Sequence, residues 1–227
     1  MLRIENLKKF LGKNVILNKV NLKVNLSEIK VIMGLNGSGK STFLKIVAGL
    51  IQPDEGQIFI NDKDITKLDP EDRNIGYVPQ HPALFPHLTV KENIYYSLKN
   101  KRGSKKLADQ LVEMLDLEPY LEKKTDILSG GYKSRVSLAR ALVSQPEVVL
   151  LDEPLSDFDL AIKEKLLEKF KKVLKFLNIP VIYVTHDPVE AQIIGDTFSV
   201  LIKGKIKEIN SIEEAHQLMR KDLEEIY

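Results

Sequence analysis

Apolar and polar positions along the chain follow two rhythms that alternate, one with a period of two residues and one close to 3.6. Val20, Leu22, Val24 and Leu26 alternate with polar neighbours before a turn at Ser27-Glu28. Gly12-Lys13-Asn14 and Asn18 are turn-forming, so residues 2–33 read as a set of short strands. The last of these, Ile29-Lys30-Val31-Ile32-Met33, gives way to a helical stretch at Thr42–Ala48. Gln52-Pro53-Asp54-Glu55-Gly56 breaks the chain, and Gln57–Ile60 and Ile75–Val78 resume as strands. From about residue 82 the character becomes helical. His81–Pro86 is proline-broken, Thr89-Val90-Lys91-Glu92 has the form of a capping box, and Leu107, Leu111, Met114 and Leu115 lie on one helix face. Glu147–Leu151 and Pro180–Val184 are continuous apolar runs suited to parallel strands buried on both faces. Between them Leu166, Phe170, Val173, Leu174 and Leu177 repeat at helical spacing. A second capping box at Ser211–Glu214 opens a C-terminal helix with apolar Ile212, Ala215, Met219, Leu223 and Ile226. Alternating strands and helices predict a parallel sheet covered by helices, with ligands at the carboxyl ends of its strands.

Composition narrows this picture without redirecting it. The 227 residues are 43% hydrophobic and 29% charged, enough apolar material for a substantial core. A formal net charge of +2 gives no reason to expect nucleic acid. With no cysteine, disulfides and thiolate metal sites are excluded. No apolar run approaches 18 residues and the N-terminus is unlike a signal peptide, so at a membrane another chain is expected to do the spanning. The basic stretch Lys99–Lys106 reads as a solvated loop, with contact to anionic lipid as the alternative.

The chemistry concentrates in three places. Gly34-Leu35-Asn36-Gly37-Ser38-Gly39-Lys40-Ser41-Thr42 fits G-x-x-x-x-G-K-[ST], a loop whose backbone N–H groups wrap nucleotide phosphates. Gly34, Gly37 and Gly39 are expected to turn at positive φ and approach the anion closely. Lys40 supplies a charge for the β- and γ-phosphates, the Ser41 hydroxyl a ligand for Mg²⁺, and the following helix a positive N-terminus. Asp152-Glu153 ends an apolar strand, where one carboxylate can complete a Mg²⁺ shell and the other accept a proton from attacking water. Ser129-Gly130-Gly131, at the start of a helix, offers a hydroxyl and N–H groups to a second anion.

Together these stretches resemble the motifs of ATP-binding cassette (ABC) proteins. Leu128–Val136 followed by Ala139-Arg140-Ala141-Leu142 is similar to their signature, and Val148–Pro154 to their Walker B strand. The resemblance runs from residue 1 to about 215. It implies a P-loop NTPase (RecA-like) α/β core at 1–81 and 141–210, with an N-terminal antiparallel β subdomain. A helical subdomain at 82–140 is inserted, and a C-terminal helix at 211–227 follows. It further implies an ATPase that uses ATP and Mg²⁺ in a head-to-tail homodimer or paired cassette. Each ATP then lies between one subunit's phosphate loop and the other's Ser129, Gly130, Gly131 and Tyr132. By position, Gln80 matches the glutamine that senses Mg²⁺ and the γ-phosphate, and His186 the switch histidine. Ser156-Asp157-Phe158-Asp159 matches the D-loop. Phe10 is placed to stack on adenine, with Val15 beside the ribose, although Phe10 could instead be core. Ser41, Gln80 and Asp152 fall to the metal, and Glu153, His186, Gln80 and Lys40 to catalysis. Three departures stand out: Tyr132 replaces the usual Gln, Asp157-Phe158 replaces Ala-Leu, and Pro188–Ala191 matches only in part.

Asn74–Gln80 with Ala83–Ile94 looks like prokaryotic importer ATPases, the molybdate, tungstate, sulfate, ferric iron and polyamine group. That resemblance implies a peripheral subunit on the cytoplasmic side of the membrane. Its partners would be permease subunits, received by a groove at Gln80–Ile94, and an extracytoplasmic solute-binding protein. The chain ends too early for the C-terminal regulatory domain many members carry, so feedback inhibition through one is not expected. The alternatives are a non-transport ABC ATPase in DNA repair or on the ribosome, and a cassette that has lost hydrolysis.

Overall fold

The structure is a computed structural model, which describes residues 1–156 and 158–224. Two sheets form its frame. The first is antiparallel: β1 (Leu2–Leu11), β2 (Asn14–Val24), β4 (Glu55–Ile60) and β5 (Lys63–Asp64), in the order β2-β1-β4-β5. The second contains β3 (Ile29–Met33), β6 (Ile75–Val78), β7 (Val148–Asp152), β8 (Val181–Thr185), β9 (Thr197–Ile202) and β10 (Lys205–Ile209). Its order is β10-β9-β3-β8-β7-β6, parallel except for the antiparallel edge strand β10.

The seven α-helices among the described residues are α1 (Lys40–Val47), α2 (Val90–Ile94), α3 (Lys105–Met114), α4 (Gly130–Val143), α5 (Leu160–Phe176), α6 (Pro188–Ile194) and α7 (Ile212–Glu224). The second sheet separates two apolar cores. Ile32, Leu150, Ile182 and Val184 face α1 and the antiparallel sheet, while Val31, Met33, Leu151 and Tyr183 face α5, α6 and the helical segment. β3, β7 and β8 are buried at every position, as their unbroken apolar runs predict.

Several expectations need correction. Residues 2–24 form two long strands rather than a set of short ones. Asn18 makes no turn; it lies inside β2, where Lys9 pairs Leu17 but Leu7 pairs Val20, and Lys19 takes φ 51. The extra residue is a β-bulge, so a turn-forming residue here bends a strand instead of ending it. Leu26 lies past the end of β2 and is 58% exposed. β5, β9 and β10 have no counterpart in the sequence reading. In the helical segment Thr89 forms the expected reciprocal capping box with Glu92. α4 continues beyond residue 140 to Val143, joining that segment to the core. On α7 Ala215 and Met219 are buried and Leu223 is exposed, and Ile226 lies outside the described residues.

Candidate functional site

β3 runs directly into the glycine loop, and Gly39 begins α1 at φ 102. Gly37 also has positive φ (81°), a conformation that costs glycine little. Gly34 does not, contrary to expectation. A Cβ there would come within 2.7 Å of Ser38 Oγ and 3.0 Å of the Leu201 carbonyl, so close packing, not a left-handed turn, requires glycine. Asn36, Gly37, Gly39, Lys40, Ser41 and Thr42 line a cavity of about 670 Å³, shared with Gln80, Glu153, Ser156 and His186. Gly34, Leu35 and Ser38 shape the loop from behind. The Ser38 amide donates to the Leu35 carbonyl at 3.1 Å. Lys40 Nζ donates to the carbonyls of Gly34 (2.8 Å) and Leu35 (3.0 Å), and pairs with Glu153 Oε1 at 3.1 Å.

Asp152 closes β7 and faces the loop. Ser41 Oγ donates to its Oδ1 and the Tyr77 hydroxyl to its Oδ2, both at 2.9 Å. Burial, then the adjacent Asp152 charge and the hydrogen bond, raises the Tyr77 pKa, so the phenol stays a donor. These residues fit Mg²⁺. The donors are oxygens, and Ser41 Oγ lies 2.9 Å from Asp152 Oδ1, so both can reach one hard cation. Among the described residues no group of three or more His, Cys, Asp or Glu is placed to hold a metal. A site with one carboxylate suits an ion that keeps waters and takes substrate phosphates. Gln80 lines the same cavity and donates from Nε2 to Ser156 Oγ at 3.2 Å.

Glu153 follows β7 in a left-handed conformation (φ 45), strained for a residue with a side chain. Its amide donates to the Val184 carbonyl at 3.1 Å, which turns its carboxylate toward the end of β8. There Glu153 Oε2 lies 2.8 Å from His186 Nδ1. An ionised carboxylate only accepts, so Nδ1 is the donor in this pair. One buried carboxylate thus touches both the loop lysine and the histidine.

The signature residues lie elsewhere. Ser129 is the N-cap of α4, exposed and making no side-chain capping bond, with Gly130 and Gly131 behind it. None of the three lines the cavity. Phe158 packs over them, its ring 3.0 Å from where a Gly130 Cβ would stand. Tyr132 stacks on Tyr120 with centroids 4.1 Å apart, and the Arg135 guanidinium lies 4.7 Å from its ring centre. Asp159 is the N-cap of α5, and Asp157 lies outside the described residues. Phe10 and Val15 pair across β1 and β2 but do not line the cavity; Leu11 and Ile16 do. At 40% and 50% exposure they are not core either.

The structure therefore gathers the phosphate loop, Glu153, Gln80, Ser156 and His186 around one cavity, holds Asp152 behind it through Ser41, and leaves the signature off it. Sequence reading misses Tyr77, Leu11 and Ile16. A hydroxyl on the strand beside that of Asp152 is a usable signal only once β6 and β7 are known to pair (Tyr77 opposite Leu150).

A strand, a glycine loop, a helix and, one strand removed in the same sheet, a strand ending in two acids define a P-loop nucleotide-binding protein. Residues 17–156 match the model of the ABC transporter family, and the chain belongs to that family. It is 36% identical over 220 residues to the Fe(3+) ions import ATP-binding protein FbpC of Fusobacterium nucleatum, covering 95% of this chain and 59% of that protein. To the molybdate/tungstate import ATP-binding protein WtpC of Archaeoglobus fulgidus it is 44% identical over 186 residues, 81% of this chain and 78% of that one. WtpC of Pyrococcus abyssi is 40% identical over 94% of this chain, which spans 63% of its length. Among solved structures, the dimeric post-hydrolysis state of the cassette MJ0796 bound to ADP and Pi superimposes with a TM-score of 0.80. Identity is 33%, covering 93% of this chain and 99% of that one.

Proposed function

We propose that this chain is the ATP-hydrolysing subunit of an ABC importer. The observation that carries the reading is the convergence of Lys40, Ser41, Glu153, Gln80 and His186 on one cavity at the carboxyl ends of β3, β7 and β8, with Asp152 hydrogen-bonded to Ser41 behind it. The loop amides and Lys40 hold the ATP phosphates. Ser41 and Asp152, with Gln80, would hold Mg²⁺, which when bound would neutralise charge on the transferred phosphoryl group. Glu153 accepts a proton from the attacking water, and His186 contacts the γ-phosphate. Phe10, exposed beside cavity-lining Leu11, supplies the π-face for adenine, with Val15 near the ribose.

Because Ser129–Gly131 lie off the cavity, their anion contacts fit a nucleotide held by a second copy. The D-loop residues Ser156, Phe158 and Asp159 would then lie between the two sites. The relatives named for import of ferric iron and of molybdate or tungstate support the importer reading, with a permease docking at Gln80–Ile94 and a solute-binding protein outside. Among the described residues no helix is long and apolar enough to cross a membrane, which suits a subunit on its cytoplasmic face.

Glu153→Gln should cut ATP turnover by about 10²–10⁴-fold, the usual worth of a general base, and accumulate an ATP-bound dimer on gel filtration. Lys40→Ala should abolish nucleotide binding by calorimetry. Wild-type turnover in the first variant, or undiminished binding in the second, overturns the corresponding role.

A further inference from the structure

Beside the cavity lies a buried ionic cluster that the reaction as proposed does not use. Lys163, in the first turn of α5, is 7% exposed, and its amide donates to the Asp159 carbonyl at 2.9 Å. Its Nζ reaches across to α6, 2.8 Å from Asp187 Oδ2 and 3.0 Å from Glu190 Oε1. Glu190 is 1% exposed, and its Oε2 accepts from the Tyr183 hydroxyl at 3.0 Å and Thr185 Oγ1 at 2.7 Å. Thr185 Oγ1 in turn accepts from the Asp187 amide at 3.0 Å. Asp187 Oδ1 caps α6, accepting from the amides of Val189 (2.8 Å) and Glu190 (3.4 Å). Burial opposes charge on both groups, yet the contacts prevail. Lys163 is held above its ordinary range by Asp187 and Glu190, and Asp187 below its own by Lys163 and the α6 amides.

The residues on both sides of His186 are therefore clamped. Thr185 is fixed by Glu190, Asp187 by Lys163, and the histidine between them has little backbone freedom. Apolar side chains could join α5 to α6 without the desolvation cost of buried charge, but they carry no direction. An ammonium between two carboxylates fixes distance and angle together. It also connects the start of α5, immediately after residues 156–159, to the backbone that aims His186 at Glu153.

We propose that Lys163, with Asp187 and Glu190, is a positioning residue that ties Asp159, at the start of α5, to the backbone around His186, so that a shift of α5 at that end is delivered to the imidazole. This rests on the role given to His186 above.

The test uses the full chain and four variants: Lys163→Met, Lys163→Arg, His186→Ala and the double variant Lys163→Met/His186→Ala. Misplacing a catalytic group by about 1 Å costs on the order of 10²-fold. Lys163→Met should therefore lower kcat by about ten- to a hundredfold. ATP affinity by calorimetry should stay within about threefold, because the hydrogen bonds and ion pairs of the cluster described above go to α5, α6 and β8 and not to the phosphate loop. Lys163→Arg should restore most of kcat, and the double variant should turn over no more slowly than His186→Ala alone, as expected of groups acting as a unit. Three results overturn the proposal while leaving the site intact: near-normal kcat in Lys163→Met, affinity falling as steeply as kcat, or additive losses in the double variant. Normal turnover in His186→Ala overturns both this proposal and the role of the histidine.

Discussion

Asp152 is reached by two hydroxyls, Ser41 on one oxygen and Tyr77 on the other. In the proposed site the first would also ligate the metal, while the second would only aim the carboxylate. Partners of this kind usually account for about 10–100-fold in metal affinity or activity. Tyr77→Phe should therefore raise the Mg²⁺ concentration for half-maximal turnover by about tenfold and weaken Mn²⁺ binding to the nucleotide-loaded chain, read by electron paramagnetic resonance. Lys40 and Ser41, and likewise Asp152 and Glu153, are legible in the sequence because each pair stands at a fixed place within its own short stretch. Tyr77 is not, because its partner lies on another strand and only pairing reveals it. Gly34 is a subtler case: the residue is foreseen, but the reason is packing against Ser38 and Leu201, and Leu201 is far away in the chain.

At the scale of elements, α1 owes its position to a residue that no motif singles out. Arg73, 1% exposed, donates to the carbonyls of Ile46 (2.9 Å) and Val47 (3.0 Å) at the C-terminal end of α1. It also reaches those of Thr66 (2.7 Å) and Leu68 (2.9 Å) in the segment leading to β6. The last carbonyls of a helix lack intrahelical partners, and a cation there suits the helix dipole. Hydrogen bonds to a charged group contribute about 1.5–3 kcal/mol each, and a deleted partner leaves its mates unsatisfied. Arg73→Met should cost at least about 3 kcal/mol. At about 2–4 °C per kcal/mol for a chain of this size, the unfolding midpoint should fall by roughly 6–12 °C in a calorimetric scan. Helices with a clear apolar face and strands with continuous apolar runs were readable. β9 and β10 were harder, since polar residues interrupt them, and bulges at Asn6 and Lys19 disguise the length of β1 and β2.

For the molecule as a whole, the alternation of strands and helices correctly points to a parallel sheet, but strand order lies beyond it. That order sets β3 between β8 and β9, with Ile29 opposite Val181 and Lys30 opposite Thr197. The strand that carries the phosphate loop thus finds both hydrogen-bonding neighbours in the last quarter of the chain. During synthesis at about 5–20 residues per second, β3 emerges roughly 8–30 s before β8. Until then an apolar five-residue strand has both edges unpaired, a condition that favours wrong partners and slow, non-local closure. A chain halted near residue 160 should show no protease-resistant core and no heat of ATP binding, although it contains the whole glycine loop. One halted near residue 210 should show both. Nucleotide capture is then among the last properties the nascent chain acquires, and bound nucleotide reports that translation has passed the sheet's final parallel strand.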